Sequence, residues 1–341
     1  MDKLPARMAS TEPASPRDPV LEQTAWDLDP LVDGEGRDGV ERRLADALAR
    51  AETFAASYAG RLGELDAAGL GQAMHELADI QELIGRAGTF AALRFSIDTA
   101  EPANGALLQL VQERTTAIET TLLFFELEWA ALAEERAEEL LAGEGLDFCR
   151  HHLRNVRRFR DHLLSEPEEK ILAAQSLTGA SAWTRLFEEL TSAIEVELPG
   201  GEHSSGEPSG GEHPGGGHSG GDGTAVPNAT SGERGQRSGR VALDVALSRL
   251  SLPQREVRRA TAEAVTAALS PGLRTRAFLF NTLLADKAVD DRLRSYSHWL
   301  AARNLANEAS DESVRALIEA VRGRYEIPRR WYRLKAKLLG V

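Results

Sequence analysis

The chain holds 341 residues with a formal charge of −13, from 40 Lys and Arg against 53 Asp and Glu. Its 42% hydrophobic content allows a real core and excludes a wholly disordered chain, while a single cysteine, Cys149, excludes an internal disulfide. Net acidity argues against a general nucleic-acid binder, and no apolar run approaches the roughly 18 residues of a membrane span. Residues 1–20 carry four prolines and no apolar stretch, so they do not read as a secretory signal. The expectation is a cytoplasmic protein with no nucleic-acid and no membrane partner.

Residues 1–23, rich in Pro, Ser and Ala, read as a disordered tail. From Asp38 the apolar residues take a helical period: Val40, Leu44, Ala47, Leu48, Ala51, Phe54 and Tyr58 form one stripe. A second helix is predicted after Asp66, carrying Leu70, Met74, Leu77, Ile80, Leu83 and Ile84. Pro102 opens the longest candidate, about thirty residues, with Leu107, Leu110, Val111, Ile118, Leu122, Phe125, Trp129 and Leu132 on one side. Thr115, Glu119 and Glu126 occupy its other faces.

Later helix starts carry cap signals. Ser165 and Glu168 make a capping box around Pro167. Ser251 through Gln254 repeats the pattern, and Ser270-Pro271 places a proline at a first helical position. Ser310 and Asp311 precede Val314, Leu317, Ile318 and Val321, and a final amphipathic helix is predicted after Pro328 with Trp331, Leu334 and Leu338 on one side. No βαβ alternation and no fixed repeat occur, so the fold class is mostly α, a multi-helix array. The exception is Ile194 to Leu198, which alternates apolar and polar as a half-buried strand does, resumed at Val241-Ala242-Leu243. Between them, residues 199–240 hold 14 of the chain's 30 glycines and four prolines. The prediction is one β-hairpin whose tip carries a disordered Gly-rich insertion.

Four features invite a chemical reading, and each has a plainer one. His203, His213 and His218 in the insertion pair with glutamates as metal ligands do, but polyglycine pre-organises nothing, so a solvated spacer is expected. His75-Glu76 opens as H-E-x-x-H does, yet position 79 is Asp, which removes the second imidazole; a half-exposed helical histidine is expected. The basic run Arg150 to Arg160 is expected to form surface ion pairs. Cys149 stands beside that run, where positive charge would lower its pKa, but spacing supplies no catalytic base, and a semi-buried thiol is expected. No catalytic, cofactor-binding or metal-ligating residue is assigned.

The stretches Leu164 to Leu172 and Gly179 to Phe187 resemble the oligoendopeptidase F family, zinc metallopeptidases related to the thimet-type oligopeptidases. So do Pro253 to Ala260, Asn281 to Lys287, Arg303 to Glu308 and Arg324 to Gly340, and the likeness runs from about Trp26 to Val341 apart from the insertion. The resemblance implies an all-helical, bowl-like peptidase acting on short peptides, with zinc held by H-E-x-x-H and a later glutamate. No H-E-x-x-H occurs here, so none of those ligands carries over and no zinc is expected in this chain. The domain reading follows: a tail at 1–23, an N-terminal helical domain at 24–198, a flexible insertion at 199–240, and at 241–341 the start of a catalytic domain. The chain then reads as the N-terminal part of such an enzyme, its partner the missing C-terminal catalytic part. The alternative is a stand-alone helical interaction module without catalysis; metal storage through the His-rich insertion ranks last.

Overall fold

The computed structural model describes residues 26–198 and 239–340. The tail and nearly all of the Gly-rich insertion, with His203, His213 and His218, lie outside the described residues. The first three helices are α1 (Gly36–Tyr58), α2 (Ala67–Ile97) and α3 (Pro102–Ala131). They pack on one another through the predicted stripes: Leu44 and Phe54, Leu70 and Ile80, Ile118 and Trp129 are all buried. The Asp66 carboxylate caps α2 by accepting from Gly69 N at 2.7 Å. The predicted order of length reverses, because α2 runs to 31 residues and α3 to 30. The α2 stripe continues beyond Ile84 through Ala87, Phe90, Ala91 and Phe95, where small residues interrupt the pattern without breaking the helix.

Two short helices, α4 (Glu134–Leu141) and α5 (Arg150–Arg157), close this core with Leu140, Leu141, Leu146 and Leu153. Helices α6 (Glu166–Ser176) and α7 (Ala180–Ser192) then lead to the hairpin. Strands β1 (Glu195–Glu197) and β2 (Arg240–Ala242) pair antiparallel with Val196 opposite Val241, as predicted. A second, smaller core forms where Val196 and Leu198 meet Ala246 of α8 (Leu243–Ser248) and Val265 of α9 (Arg255–Leu269). The remaining helices are α10 (Leu273–Leu293), α11 (Ala301–Ala306), α12 (Asp311–Arg322) and α13 (Glu326–Leu339).

The cap signals divide. Ser165 N and Oγ both donate to Glu168 Oε2, at 3.0 and 2.6 Å, and those bonds hold the Glu168 carboxyl below its usual range. Ser310 caps α12 by accepting from Ser313 N. Ser251, by contrast, ends a 3-10 turn, and α9 starts only at Arg255. Leu252 precedes Pro253 and is held extended at ψ 149°, so no helix can begin before the proline. Pro271 likewise sits outside its helix: Gly272 turns left-handed at φ 74° and α10 begins one residue later. The last helix starts at Glu326, ahead of Pro328, whose missing N–H falls among first-turn amides that need no intrahelical partner.

At the open end of the hairpin, Leu198 N donates to Gly239 O at 2.8 Å. Leu198 and Gly239, the described residues on either side of 199–238, are therefore adjacent. Deleting residues 201–238 and closing the strands with a short turn should leave the urea midpoint nearly unchanged, since loop length costs only about 0.6 kcal/mol per doubling. A large loss would show that the segment packs or binds something.

Candidate functional site

A cleft of about 1050 Å³ opens between α2, α3, α6 and α10. Its floor is apolar, from Leu122, Leu123 and Phe125 on α3 and Leu293 on α10. At one end a polar seam joins segments 125 residues apart. Arg294 donates to both carboxylate oxygens of Glu169, at 2.6 and 2.8 Å, and through Nε to Asp290 at 2.9 Å. Glu169 also accepts from Leu164 N at 3.0 Å, in the turn that the Ser165 cap fixes. Burial pushes the Glu169 carboxyl up, but the bonds from Arg294 and Leu164 and the guanidinium charge outweigh it, so the pKa falls below the usual value. The same bonds from Glu169 raise the Arg294 pKa further, so both groups stay charged.

Ser295, with φ 59°, turns the chain after α10 and brings Tyr296 onto the His162 ring at 4.0 Å between centroids. His162 Nδ1 donates to Arg294 O at 2.8 Å, and Arg294 Nη1 donates back to His162 O at 3.3 Å. Farther along α10, Lys287 Nζ holds both oxygens of Asp291 at 2.7 and 2.8 Å. The α3 wall differs. Glu119 and Glu126 have no hydrogen bond or ion pair among the described residues, and burial, then the Glu126 charge, pushes the Glu119 carboxyl up.

Among the described residues, none of those weighed in the sequence lies in a catalytic arrangement. His75 stacks on Phe148 at 4.1 Å, and Glu76 accepts from Tyr58 Oη at 3.2 Å and Gln72 Nε2 at 2.9 Å. Among the described residues no three His, Cys, Asp or Glu side chains are placed to hold a metal ion. The arginines of the basic run do form ion pairs: Arg154 with Glu138, Arg157 and Arg160 with Glu134, Arg158 with Glu308. Arg157 and Arg160 also donate to Trp129 O, Ala130 O and Leu132 O, answering carbonyls that the end of α3 leaves open. Cys149 is buried, and the predicted lowering of its pKa is reversed: burial raises it, and the Arg150 charge opposes this only in part.

The sequence reading did not single out the residues that line the cleft. Glu169 and Arg294 carry no local signal, since only the fold joins them. Glu119 and Glu126 did carry one, an i, i+7 pair of acids in a helix with few other charges.

Residues 128–195 match the family model described as oligopeptidase F. No curated protein matches the chain. Among solved structures it is similar to oligoendopeptidase-F from Enterococcus faecium, with TM-score 0.67 and 19% identity, over 89% of this chain and 53% of that one. A putative peptidase from Chlamydophila abortus aligns with TM-score 0.50 and 16% identity, over 94% of this chain and 49% of that one. The chain thus spans about half the length of the solved structures it matches.

Proposed function

Starting from a chain that is a relative of the oligoendopeptidase F family, we propose that it forms the helical wall of a peptidase acting on short peptides. The wall reading rests on one observation: the helices that match over most of this chain enclose a cleft of peptide dimensions, about 1050 Å³. In that reading residues 24–198 form an N-terminal helical domain and residues from 241 onward the start of a catalytic one. The zinc the family implies does not fit the described residues. His75 is engaged with Phe148, Glu76 with Tyr58 and Gln72, and the next turn offers Asp79 in place of a second imidazole. The metal ligands and the water-activating glutamate would belong to a C-terminal catalytic part outside this sequence.

The surface that would receive that part is α12 and α13, neither of which buries a side chain. Trp331, Leu334 and Leu338 are 58%, 49% and 75% exposed, and residues 322–337 hold seven cations against Glu326 alone. An apolar and acidic neighbour matches this face.

The purified chain should therefore hold no stoichiometric zinc, cleave no fluorogenic peptide, and bind a hydrophobic dye. One tightly held zinc, lost on His75→Ala, would overturn the reading of the metal. A stable monomer that binds no dye, with Trp331 shielded from quencher, would overturn the reading of the docking face.

A further inference from the structure

Around most of the cleft, charge is matched within the fold. Arg294 answers Glu169 and Asp290, and Lys287 answers Asp291. Glu119 and Glu126 on the α3 wall, and Asp286 on α10, have no partner among the described residues. Glu119 and Glu126 lie seven residues apart, which on a helix of 1.5 Å rise separates their backbones by about 10 Å along one wall. Gln81 on α2 and Gln175 on α6 also line the cleft, and their side-chain amides make no hydrogen bond among the described residues. Between these polar groups lies the floor of Leu122, Phe125 and Leu293.

We propose that this cleft binds an extended peptide segment carrying positive charge. Its amino terminus or a Lys or Arg side chain meets Glu119 and Glu126, its apolar side chains lie on the floor, and its backbone meets the two glutamine amides. The inference rests on the peptide reading above and adds the charge of the substrate to it. The dimensions agree: three residues of extended chain span about 10 Å. Two carboxylates facing one cleft repel each other, and a cation between them removes that repulsion. An anionic peptide would increase it, and an uncharged one would leave it in place. The glutamine amides give the site donors and acceptors for a main chain, which a bare cation would not use.

The test titrates the purified 341-residue chain with a labelled peptide of alternating Lys and Leu, and with the same peptide carrying Gln for Lys. The basic peptide should bind about tenfold or more tightly. The doubly substituted variant, Glu119→Gln with Glu126→Gln, should bind the two peptides equally while keeping the wild-type affinity for the uncharged one and unchanged helicity. Acidifying the wild type through the carboxylate range should remove the preference, beginning at a higher pH than an ordinary glutamate would give. Equal binding of both peptides by the wild type would overturn the charge inference and leave the peptide reading standing. Binding of neither peptide would overturn both. A preference that survives in the double variant would show that the cation sits elsewhere.

Discussion

Arg294→Ala should lower the stability of the chain by about 3 kcal/mol near neutral pH, the lower end of what breaking a buried ion pair costs. Glu169 is only 8% exposed, and without the guanidinium it keeps a single bond, from Leu164 N. The pH dependence separates this loss from simple removal of bulk. The Glu169 pKa is depressed in the folded protein, so its contribution is complete above its unfolded value of about 4.3 and is lost as pH falls through the lower folded value. The deficit of Arg294→Ala should therefore shrink in acid, where the abandoned carboxylate takes up a proton. Replacing Glu169 and Arg294 together by leucine should recover much of the loss. The check is a pair of urea midpoints, near neutrality and in acid. A deficit below about 1 kcal/mol would mean the pair behaves as a surface bridge.

Trp129→Ala should cost about 3–5 kcal/mol, the range for deleting a large aromatic side chain from a core. Trp129 is fully buried, its Nε1 donates to Leu153 O at 2.7 Å, and the Arg157 guanidinium lies 5.8 Å above the ring. Truncation opens a cavity, removes one of the bonds to the Leu153 carbonyl, and removes the surface under Arg157. Trp129→Phe keeps most of the volume and loses the donor, so it should cost only about 1–2 kcal/mol, near the price of one unmade bond. Equal losses in the two variants, again from urea midpoints, would show that volume is not the deciding factor.

Much of this fold was readable before any coordinates. Leu44, Phe54, Leu70, Ile80, Ile118 and Trp129 were placed in the core by their spacing, because a helix that buries one face must repeat it every three or four residues. The hairpin was readable because its alternation differs from every helix around it. The errors came where local geometry overrides a residue type: Ser251 lost its role to the extended Leu252, and Pro271 to the left-handed Gly272. The site was less legible, for a different reason. A sequence states the charge of Cys149's neighbours but not its burial, and burial won. It gives Glu169 and Arg294 no reason to meet, since that pairing is made only when α6 and α10 come together.

The absence of buried side chains in α12 and α13 bears on how this chain comes apart. Helices whose side chains stay largely in water contribute little to the unfolding free energy of the whole. These two helices open and close close to the limit of their own propensity, while α1, α2 and α3 stay locked around Trp129 until the common core fails. The last two helices should therefore open below the transition of the common core, and the midpoints above report that core transition. Amides near Trp331 exchange through local opening, and those around Ile118 only through the global event. A partner that covers α12 and α13 would tie them to that core, so the first sign of docking would be slowed exchange at the last helices, ahead of any change at the core.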